Sequence, residues 1–149
     1  MNNVYPPWWD ATITIYNRYE DPQTHIVVWY RSVVTGAFWK YTGDKTVINK
    51  VVLETNNTIC RIRKDDRFLP KYRWVSLPND QMQNYFTLSQ NDILVYGEVD
   101  DTIDEYTSGK RSTDLEKKYK YLQGCIRIDK DAINVGAGRC SEHYYVKGT

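Results

Sequence analysis

The sequence predicts a mainly β protein, a small antiparallel β-barrel or sandwich with one short helix in the second half of the chain. Three observations predict it. Short runs alternate between apolar and polar residues, turn-forming residues separate these runs at close spacing, and a single later segment has helical periodicity. A chain of 149 residues fits one domain, because a chain of that size buries roughly 70% of its unfolded surface on folding. We therefore expect one self-standing core.

Residues 85–99 predict a β-hairpin around which the other segments are arranged. A short apolar, β-branched and aromatic run is formed by Ile93, Leu94, Val95, Tyr96 and Val99, and the preceding residues 90–92 are polar turn formers. On the other side of this turn, Phe86 and Leu88 alternate with polar residues. This pattern is typical of two strands joined by a polar tip.

The first half of the chain predicts five further strand segments, with Gly36 as a bulge or kink between two of them. The segments cover residues 11–19, 26–34, 36–41, 46–54 and 58–63. Turns are predicted at Glu20-Asp21-Pro22, Gly43-Asp44 and Asn56-Asn57. Short strands at this spacing favour an antiparallel sandwich or small barrel.

Residues 64–84 lose the alternation and contain two prolines. We therefore predict a long loop there. A loop of this length in a compact domain is uncommon and usually functional.

The helix is predicted at residues 113–123. Thr113 and Glu116 fit a capping box, and Gly124 suits the position just past a helix end. After it come an isoleucine-rich segment, a turn at Gly136-Ala137-Gly138 and a last strand at residues 143–146.

Residues 1–10 are predicted to form an extended arm ahead of a single β-rich domain over residues 11–149. Two adjacent prolines remove amide donors and favour an extended chain. The arm carries Tyr5, Trp8 and Trp9, whose large apolar faces need cover. That cover comes either from the domain's own flank or from a neighbouring subunit, and the sequence leaves both possibilities open.

Composition excludes several classes of partner. The 20 Lys and Arg residues nearly balance the 19 Asp and Glu residues, so no global field attracts nucleic acid or an anionic membrane. No window has the length of a membrane span, and the N-terminus lacks signal-peptide features. Cys60, Cys125 and Cys140 are odd in number and widely spaced, which favours free thiols. We expect a soluble, unsecreted protein with no membrane partner.

The sequence carries no signature of a catalytic, cofactor or metal site. The three cysteines and the two histidines, His25 and His143, lack zinc-ligand spacing. No local motif marks a nucleophile, and turn chemistry explains the glycine turn at 136–138 better than phosphate binding does. We therefore predict a protein that is not an enzyme and that has no cofactor and no metal.

Two oppositely charged segments are the candidates for a contact between subunits. The acidic segment contains Glu98, Asp100, Asp101, Asp104 and Glu105, and the basic segment contains Arg61, Arg63, Lys64, Arg67, Lys71 and Arg73. Opposite charges on separate segments suit a heterologous, ring-forming contact. Two alternatives stay open: the acidic residues form an ordinary solvated loop face, and the basic residues face DNA phosphate.

Four motifs resemble a family of tailed-phage and prophage proteins from the head and minor capsid region. They are DATITIYNRYEDP at 10–22, WYRSVVTGAFW at 29–39, FTLSQNDILVYGEVDD at 86–101 and TDLEKKY at 113–119. Their layout is similar to that of head-completion, or head–tail joining, proteins. The resemblance covers most of the chain but does not extend to the basic segment or to Trp8 and Trp9.

The resemblance implies a structural virion protein at the neck of a tailed bacteriophage. Such a protein would form a homo-oligomeric, six-fold ring that links the portal or adaptor protein to the tail terminator or tail-tube protein. Packaged DNA would pass through this ring, and the virion would assemble in the cytoplasm of the bacterial host.

Two other functions remain as alternatives. The first is another ring protein of the neck or tail, such as an adaptor or a tail terminator. The second is a carbohydrate-binding β-sandwich that stacks sugars on exposed Trp and Tyr side chains. A sugar binder would place aromatic residues from separate loops on one exposed face and remain monomeric.

Overall fold

The structure is a computed structural model that describes residues 5–120, 124–136 and 142–149, without the side chains of residues 42–46 and 52–56. The strands are β1 (Ala11–Glu20), β2 (Val27–Ile48), β3 (Val51–Arg63), β4 (Ile93–Tyr96), β5 (Cys125–Arg127), β6 (Ile133–Val135) and β7 (His143–Gly148). Two α-helices, α1 (Lys71–Trp74) and α2 (Ser112–Lys120), and a 3-10 turn (Met82–Asn84) complete the described elements. The strands form one antiparallel sheet in the order β5-β4-β1-β2-β3-β7-β6. The mainly β prediction is confirmed.

Of the two predicted arrangements, the sheet is not closed into a barrel, and the sandwich is compatible with it. The residues that follow β5 nevertheless lie against the end of β7. An isolated bridge joins Ile128 to Gly148, and Asp129 N–H donates to Lys147 O at 2.9 Å. The two backbones lie so close together that a Cβ on Gly148 would be 2.3 Å from Arg127 O.

Strand β1 is confirmed, and both of its faces are buried. Ile13 and Ile15 belong to one apolar cluster, whereas Tyr16 belongs to a second cluster that includes residues of α2. Thr14 is also fully buried. Its hydroxyl donates to a backbone carbonyl at 2.7 Å and accepts from a backbone N–H at 3.1 Å, both in the segment after β4. These bonds offset the cost of burying a polar group.

Gly36 forms the predicted bulge. The register of β1 against β2 shifts between Ala11 and Ile13, and Gly36 in the opposing strand has a φ of +68°. A side chain at Gly36 would be strained by this backbone conformation, and its Cβ would lie 2.6 Å from the Arg63 side chain. The bulge therefore requires glycine.

The turns predicted at Gly43-Asp44 and Asn56-Asn57 are wrong. Both pairs lie inside β2 and β3, which stay paired until Ile48 opposes Val51. The actual turn is Asn49-Lys50, where both residues have positive φ, 51° and 66°. A two-residue turn with positive φ matches the twist of antiparallel strands. The Asn49-Lys50 turn therefore joins the ends of β2 and β3, and the glycine and asparagine pairs lie within the two strands.

Half of the predicted hairpin at residues 85–99 is wrong. The second half forms β4, which pairs with β1 and β5, but residues 86–89 form no strand. At Thr87 the side chain of Asn17 makes the hydrogen bonds that a neighbouring strand would make. Its Nδ2 donates to Thr87 O at 2.6 Å and its Oδ1 accepts from Thr87 N–H at 3.2 Å. Asp92 accepts from the N–H and the hydroxyl of Ser89 at 3.0 and 2.9 Å. The segment is buried and forms no strand, and an isolated bridge joins Phe86 to Phe68 in the preceding loop.

The predicted loop at 64–84 contains α1 and the 3-10 turn and is fixed to the core by Trp74. This side chain is fully buried, and its Nε1 lies 3.3 Å from both Met82 O and Tyr85 O. The rings of Tyr19 and Tyr30 contact it edge-on, with centroids 6.2 and 5.7 Å away. The loop is therefore an ordered cover on the sheet.

Helix α2 begins at Ser112, so Thr113 lies inside its first turn and the predicted capping box is wrong. Glu116 binds the guanidinium of Arg127 instead. Leu115 and Tyr119 are buried, as the helical period predicts. The predicted helix residues 121–123, the glycine-turn residues 137–138 and Cys140 lie outside the described residues.

Cys60 and Cys125 are buried free thiols, as predicted. No helix in the described ranges is long and apolar enough to cross a membrane. The same ranges contain no group of three or more His, Cys, Asp or Glu residues placed to hold a metal ion.

Candidate subunit interface

Residues 42–57 form a two-stranded arm, here called the β-arm, that extends past the rest of the sheet. Strand β1 pairs with β2 only as far as Ala37, and β7 pairs with β3 only from Thr58 onward. Between these limits, β2 and β3 pair with each other up to the turn. Seven residues at about 3.3 Å each give the β-arm a length of roughly 20 Å.

The tip of the β-arm is apolar and exposed. Val47, Ile48 and Val51 have relative exposures of 67, 52 and 57%. A lone two-stranded hairpin is marginally stable in water, and exposed apolar residues on unpaired strand edges favour association. The sequence analysis missed this feature because it placed turns inside the arm. Positive φ at Asn49 and Lys50 marks the turn in the structure. In the sequence, only the asparagine favours that conformation.

An open groove of about 440 Å³ lies beside the loop that covers the sheet. Phe68, Leu88, Ala132 and Tyr144 supply its apolar floor, and the Phe68 and Tyr144 rings stack with centroids 3.9 Å apart. Its rim carries Pro70, Lys71, Tyr72, Asp131 and Asn134. Tyr72 is 72% exposed, so the rim presents a free aromatic face beside polar groups.

Lys71 is a basic residue of this rim, and contacts inside the chain hold its side chain. Its Nζ donates to Arg18 O at 2.8 Å and lies 4.9 Å from the centre of the Trp74 ring. Burial lowers the pKa of this amine, because desolvation disfavours the charged form. The exposed carboxylate of Asp131 has a different environment: one of its oxygens accepts from Gln90 N–H at 2.8 Å.

The groove and the β-arm lie toward opposite ends of β7. Tyr144 in the groove pairs with Ile62 near the start of β7. The base of the β-arm, Thr58, pairs with Gly148 at its end. Four residues separate these points along the strand, or roughly 13 Å. One chain therefore presents an apolar projection at one end and an apolar recess toward the other.

The N-terminal aromatic residues are divided between a covered pair and an exposed one. Trp9 is buried, stacks on Tyr5 at 5.6 Å and meets the His143 ring edge-on at 4.9 Å. The Tyr5 hydroxyl donates to Glu142 O at 2.7 Å. Trp8 is 65% exposed. The cover for Tyr5 and Trp9 thus comes from the chain's own flank, which is one of the two possibilities that the sequence left open, and Trp8 remains available to a partner.

The acidic segment is bound largely to its own chain. Asp101 Oδ1 accepts from the Tyr119 hydroxyl at 2.5 Å and Oδ2 accepts from Lys118 Nζ at 2.8 Å. The bond from Lys118 has the larger effect and the bond from Tyr119 the smaller, and together they hold the pKa of the Asp101 carboxyl below its usual value. Glu105 accepts from the N–H of Ser112 at the start of α2 at 3.2 Å. This carboxylate therefore satisfies an N-terminal amide of the helix.

The remaining acidic residues differ in exposure. Asp104 Oδ1 accepts from the N–H groups of Tyr106 and Thr107 in the following turn. Asp100 is fully exposed, 3.6 Å from Arg31, and Glu98 is exposed as well. Asp100 and Glu98 are the members of this segment best placed to contact another molecule.

The first part of the basic segment lies over tyrosine rings. The guanidinium groups of Arg61 and Arg63 lie 4.8 and 5.0 Å from the ring centres of Tyr145 and Tyr5. Lys64 Nζ lies 4.6 Å from the Tyr144 ring and donates to Asn134 Oδ1 at 2.7 Å. These contacts hold the cations along β3 and the groove rim.

The second part of the basic segment follows the loop. Arg67 donates to both carboxylate oxygens of Asp65 at 3.0 and 2.8 Å, and these bonds hold the pKa of Asp65 below its usual value. Lys71 donates to Arg18 O, and Arg73 is exposed. The two charged segments do not meet within one chain through any described ion pair. A contact between them across subunits stays a prediction.

Comparison with known proteins identifies the family of this chain. A family model described as Family of unknown function (DUF6751) matches residues 8–149. The chain belongs to this family. Searches of curated proteins and of solved structures found no match. Membership of DUF6751 names no activity, so the resemblance to head-completion proteins stays a prediction.

Proposed function

We propose that this protein is a structural subunit of a tailed-phage virion, a head-completion ring subunit that links the portal side of the neck to the tail. The supporting observation is the β-arm with its exposed apolar tip. The resemblance of the four sequence motifs supplies the phage context.

An arm of this kind gains stability only when another surface covers it. Fully burying a Val or Ile side chain contributes about 1.5–3 kcal/mol relative to leaving it exposed, and each tip residue is already partly covered. Covering the exposed parts of Val47, Ile48 and Val51 would therefore contribute roughly 1 kcal/mol each. The outer edges of residues 42–48 and 51–56, beside which the described part of the chain places no strand, offer further backbone hydrogen bonds to a partner.

The exposed charges fit the same function. Glu98 and Asp100 lie in the segment after β4, whereas Arg73 lies in the loop that covers the sheet. Opposite charges on separate surfaces set the orientation of neighbouring subunits. They add little affinity, because exposed pairs are screened beyond about 8 Å at physiological ionic strength.

The test is disruption of the gene in the phage that encodes it, followed by electron microscopy of the particles. We expect filled or leaking heads without joined tails. A plasmid copy of the wild type should restore tailed particles. A copy with Ile48→Asp at the arm tip should not, although a copy with Val28→Asp, an apolar residue of similar exposure elsewhere on β2, should restore them. Normal tailed particles after disruption would contradict the neck assignment.

A carbohydrate-binding module is the second candidate, and one observation favours it. Tyr72 is exposed on the rim of a groove that also carries Asp131 and Asn134, and an aromatic face beside carboxylate and amide groups suits a saccharide. A glycan-binding screen with wild type and Tyr72→Ala tests it. Saccharide binding that is lost in the variant, on a protein that remains monomeric, would favour this function over the ring subunit.

A further inference from the structure

We propose that the tip of the β-arm of one copy inserts into the groove of a second copy, with Val47, Ile48 and Val51 on the apolar floor and Lys50 facing Asp131. This inference rests on the proposed function, because it names the partner of the β-arm within the ring.

The two surfaces match in chemistry. The tip presents three exposed aliphatic side chains. The groove floor presents Leu88 and the stacked rings of Phe68 and Tyr144. A cavity of about 440 Å³ lies within the range of about 300–1,000 Å³ that is typical of binding pockets. The groove can therefore receive side chains without rearrangement of the core.

Charge gives the contact a direction. Lys50 lies in the turn at the very end of the arm and is exposed. Asp131 is exposed on the groove rim, with one carboxylate oxygen bound to Gln90 N–H. Two cations also border the groove: Lys71 donates to Arg18 O and Lys64 donates to Asn134 Oδ1. Asp131 lies close enough to Lys71 for its charge to act on that amine, and it is the carboxylate among the groove-lining residues. A lysine that enters the groove would meet the opposite charge.

The positions of the β-arm and the groove within one chain indicate that the arm enters the groove of a second copy. The arm leaves the sheet at the end of β7, whereas the groove includes Tyr144 near the start of β7. An arm roughly 20 Å long that extends past the sheet points away from the groove of its own chain. A projection and a recess on different parts of one surface give a head-to-tail contact, which closes into a ring when the rotation permits.

Cysteine cross-linking tests the contact. One tagged copy carries Ile48→Cys and a second, differently tagged copy carries Tyr72→Cys. Cys60 and Cys125 are buried, and Cys140→Ser in every variant removes the remaining native thiol. A disulfide requires Cα atoms about 4.4–6.8 Å apart. Ile133→Cys is the matched control, because Ile133 is exposed and does not line the groove. The cavity of about 250 Å³ that it lines shares only Asp131 with the groove lining.

We expect a disulfide between the Ile48→Cys and Tyr72→Cys copies on mild oxidation, and none between the Ile48→Cys and Ile133→Cys copies. Assembled protein that cross-links at Ile133, or at neither position, would overturn the groove contact and leave the ring proposal standing. Protein that stays monomeric at every concentration would overturn the ring proposal together with the groove contact.

A charge exchange supplies a second measurement that does not depend on new thiols. Lys50→Asp suits the positive φ at this position, because Asp tolerates that conformation. Lys50→Asp alone and Asp131→Lys alone should each reduce assembly several-fold, and the two together should restore it. Restoration that fails while both single variants remain folded would contradict the pairing of Lys50 with Asp131.

Discussion

Ile48 and Val51 are directly paired across the turn of the β-arm, and more than half of each side chain is exposed. This pair ends the β-arm, beside which the described residues form no third strand beyond Thr58. The β-arm costs conformational entropy to order, and in the isolated chain its tip residues Val47, Ile48 and Val51 stay more than half exposed. A partner surface at the tip accounts for it.

Trp9 should contribute to the stability of the single chain. Its ring is buried against Tyr5 and His143, so Trp9→Ala should lower the free energy of unfolding by about 3 kcal/mol. Urea denaturation of the monomer measures this. Trp8→Ala is the control, and it should change the free energy of unfolding by less than about 0.5 kcal/mol because Trp8 is exposed. Unchanged monomer stability in Trp9→Ala would indicate that a neighbouring subunit provides the cover.

Asp101 should make stability depend on pH. Its folded-state pKa is lowered by bonds from Lys118 and Tyr119, so its contribution is complete above its unfolded pKa of about 3.9 and is lost as pH falls through the folded value. Asp101→Asn should lower the free energy of unfolding at pH 7 by about 1 kcal/mol. The difference from wild type should shrink in urea titrations toward pH 3. Asp100→Asn, at a fully exposed carboxylate, should match the wild type throughout, and a difference for Asp101→Asn that persists at low pH would contradict this mechanism.

Gly148 should tolerate no side chain. A Cβ there would lie 2.3 Å from the backbone oxygen of Arg127, so Gly148→Ala should force the two edges apart and lower the free energy of unfolding by about 2 kcal/mol. Lys147→Ala, at the exposed neighbouring position, serves as the control and should have little effect. Equal melting temperatures for the two variants would show that this approach of β5 and β7 does not stabilise the fold.

The elements that were predicted correctly are those whose signals are local. β1, the buried run of β4, the bulge at Gly36 and the apolar face of α2 follow from alternation, helical period and the conformational freedom of glycine. Residues 86–89 failed for the opposite reason. The backbone of Thr87 bonds to the side chain of Asn17, 70 residues earlier in the chain, and the backbone of Phe86 bonds to Arg67 and Leu69. No local pattern in the sequence indicates these bonds.

The β-arm and the groove could not be predicted from the sequence for a similar reason. Glycine and asparagine pairs inside the β-arm gave stronger turn signals than Asn49-Lys50, so the arm was divided into short strands. The groove combines α1, the segment before β4, the region of β6 and the start of β7. Only the fold brings these four parts of the chain together. The charged segments were identified in sequence, but their internal partners, such as Tyr119 for Asp101, depend on the packing of α2.

The mass of the full chain in solution, measured by sedimentation over a range of concentrations, tests the central claim most directly. The account predicts that the wild type and Val28→Asp form the same oligomer, whereas Ile48→Asp remains monomeric with an unchanged melting temperature. An oligomer of Ile48→Asp with the wild-type mass and affinity, or a wild type that stays monomeric at every concentration, would contradict the claim that the β-arm joins subunits.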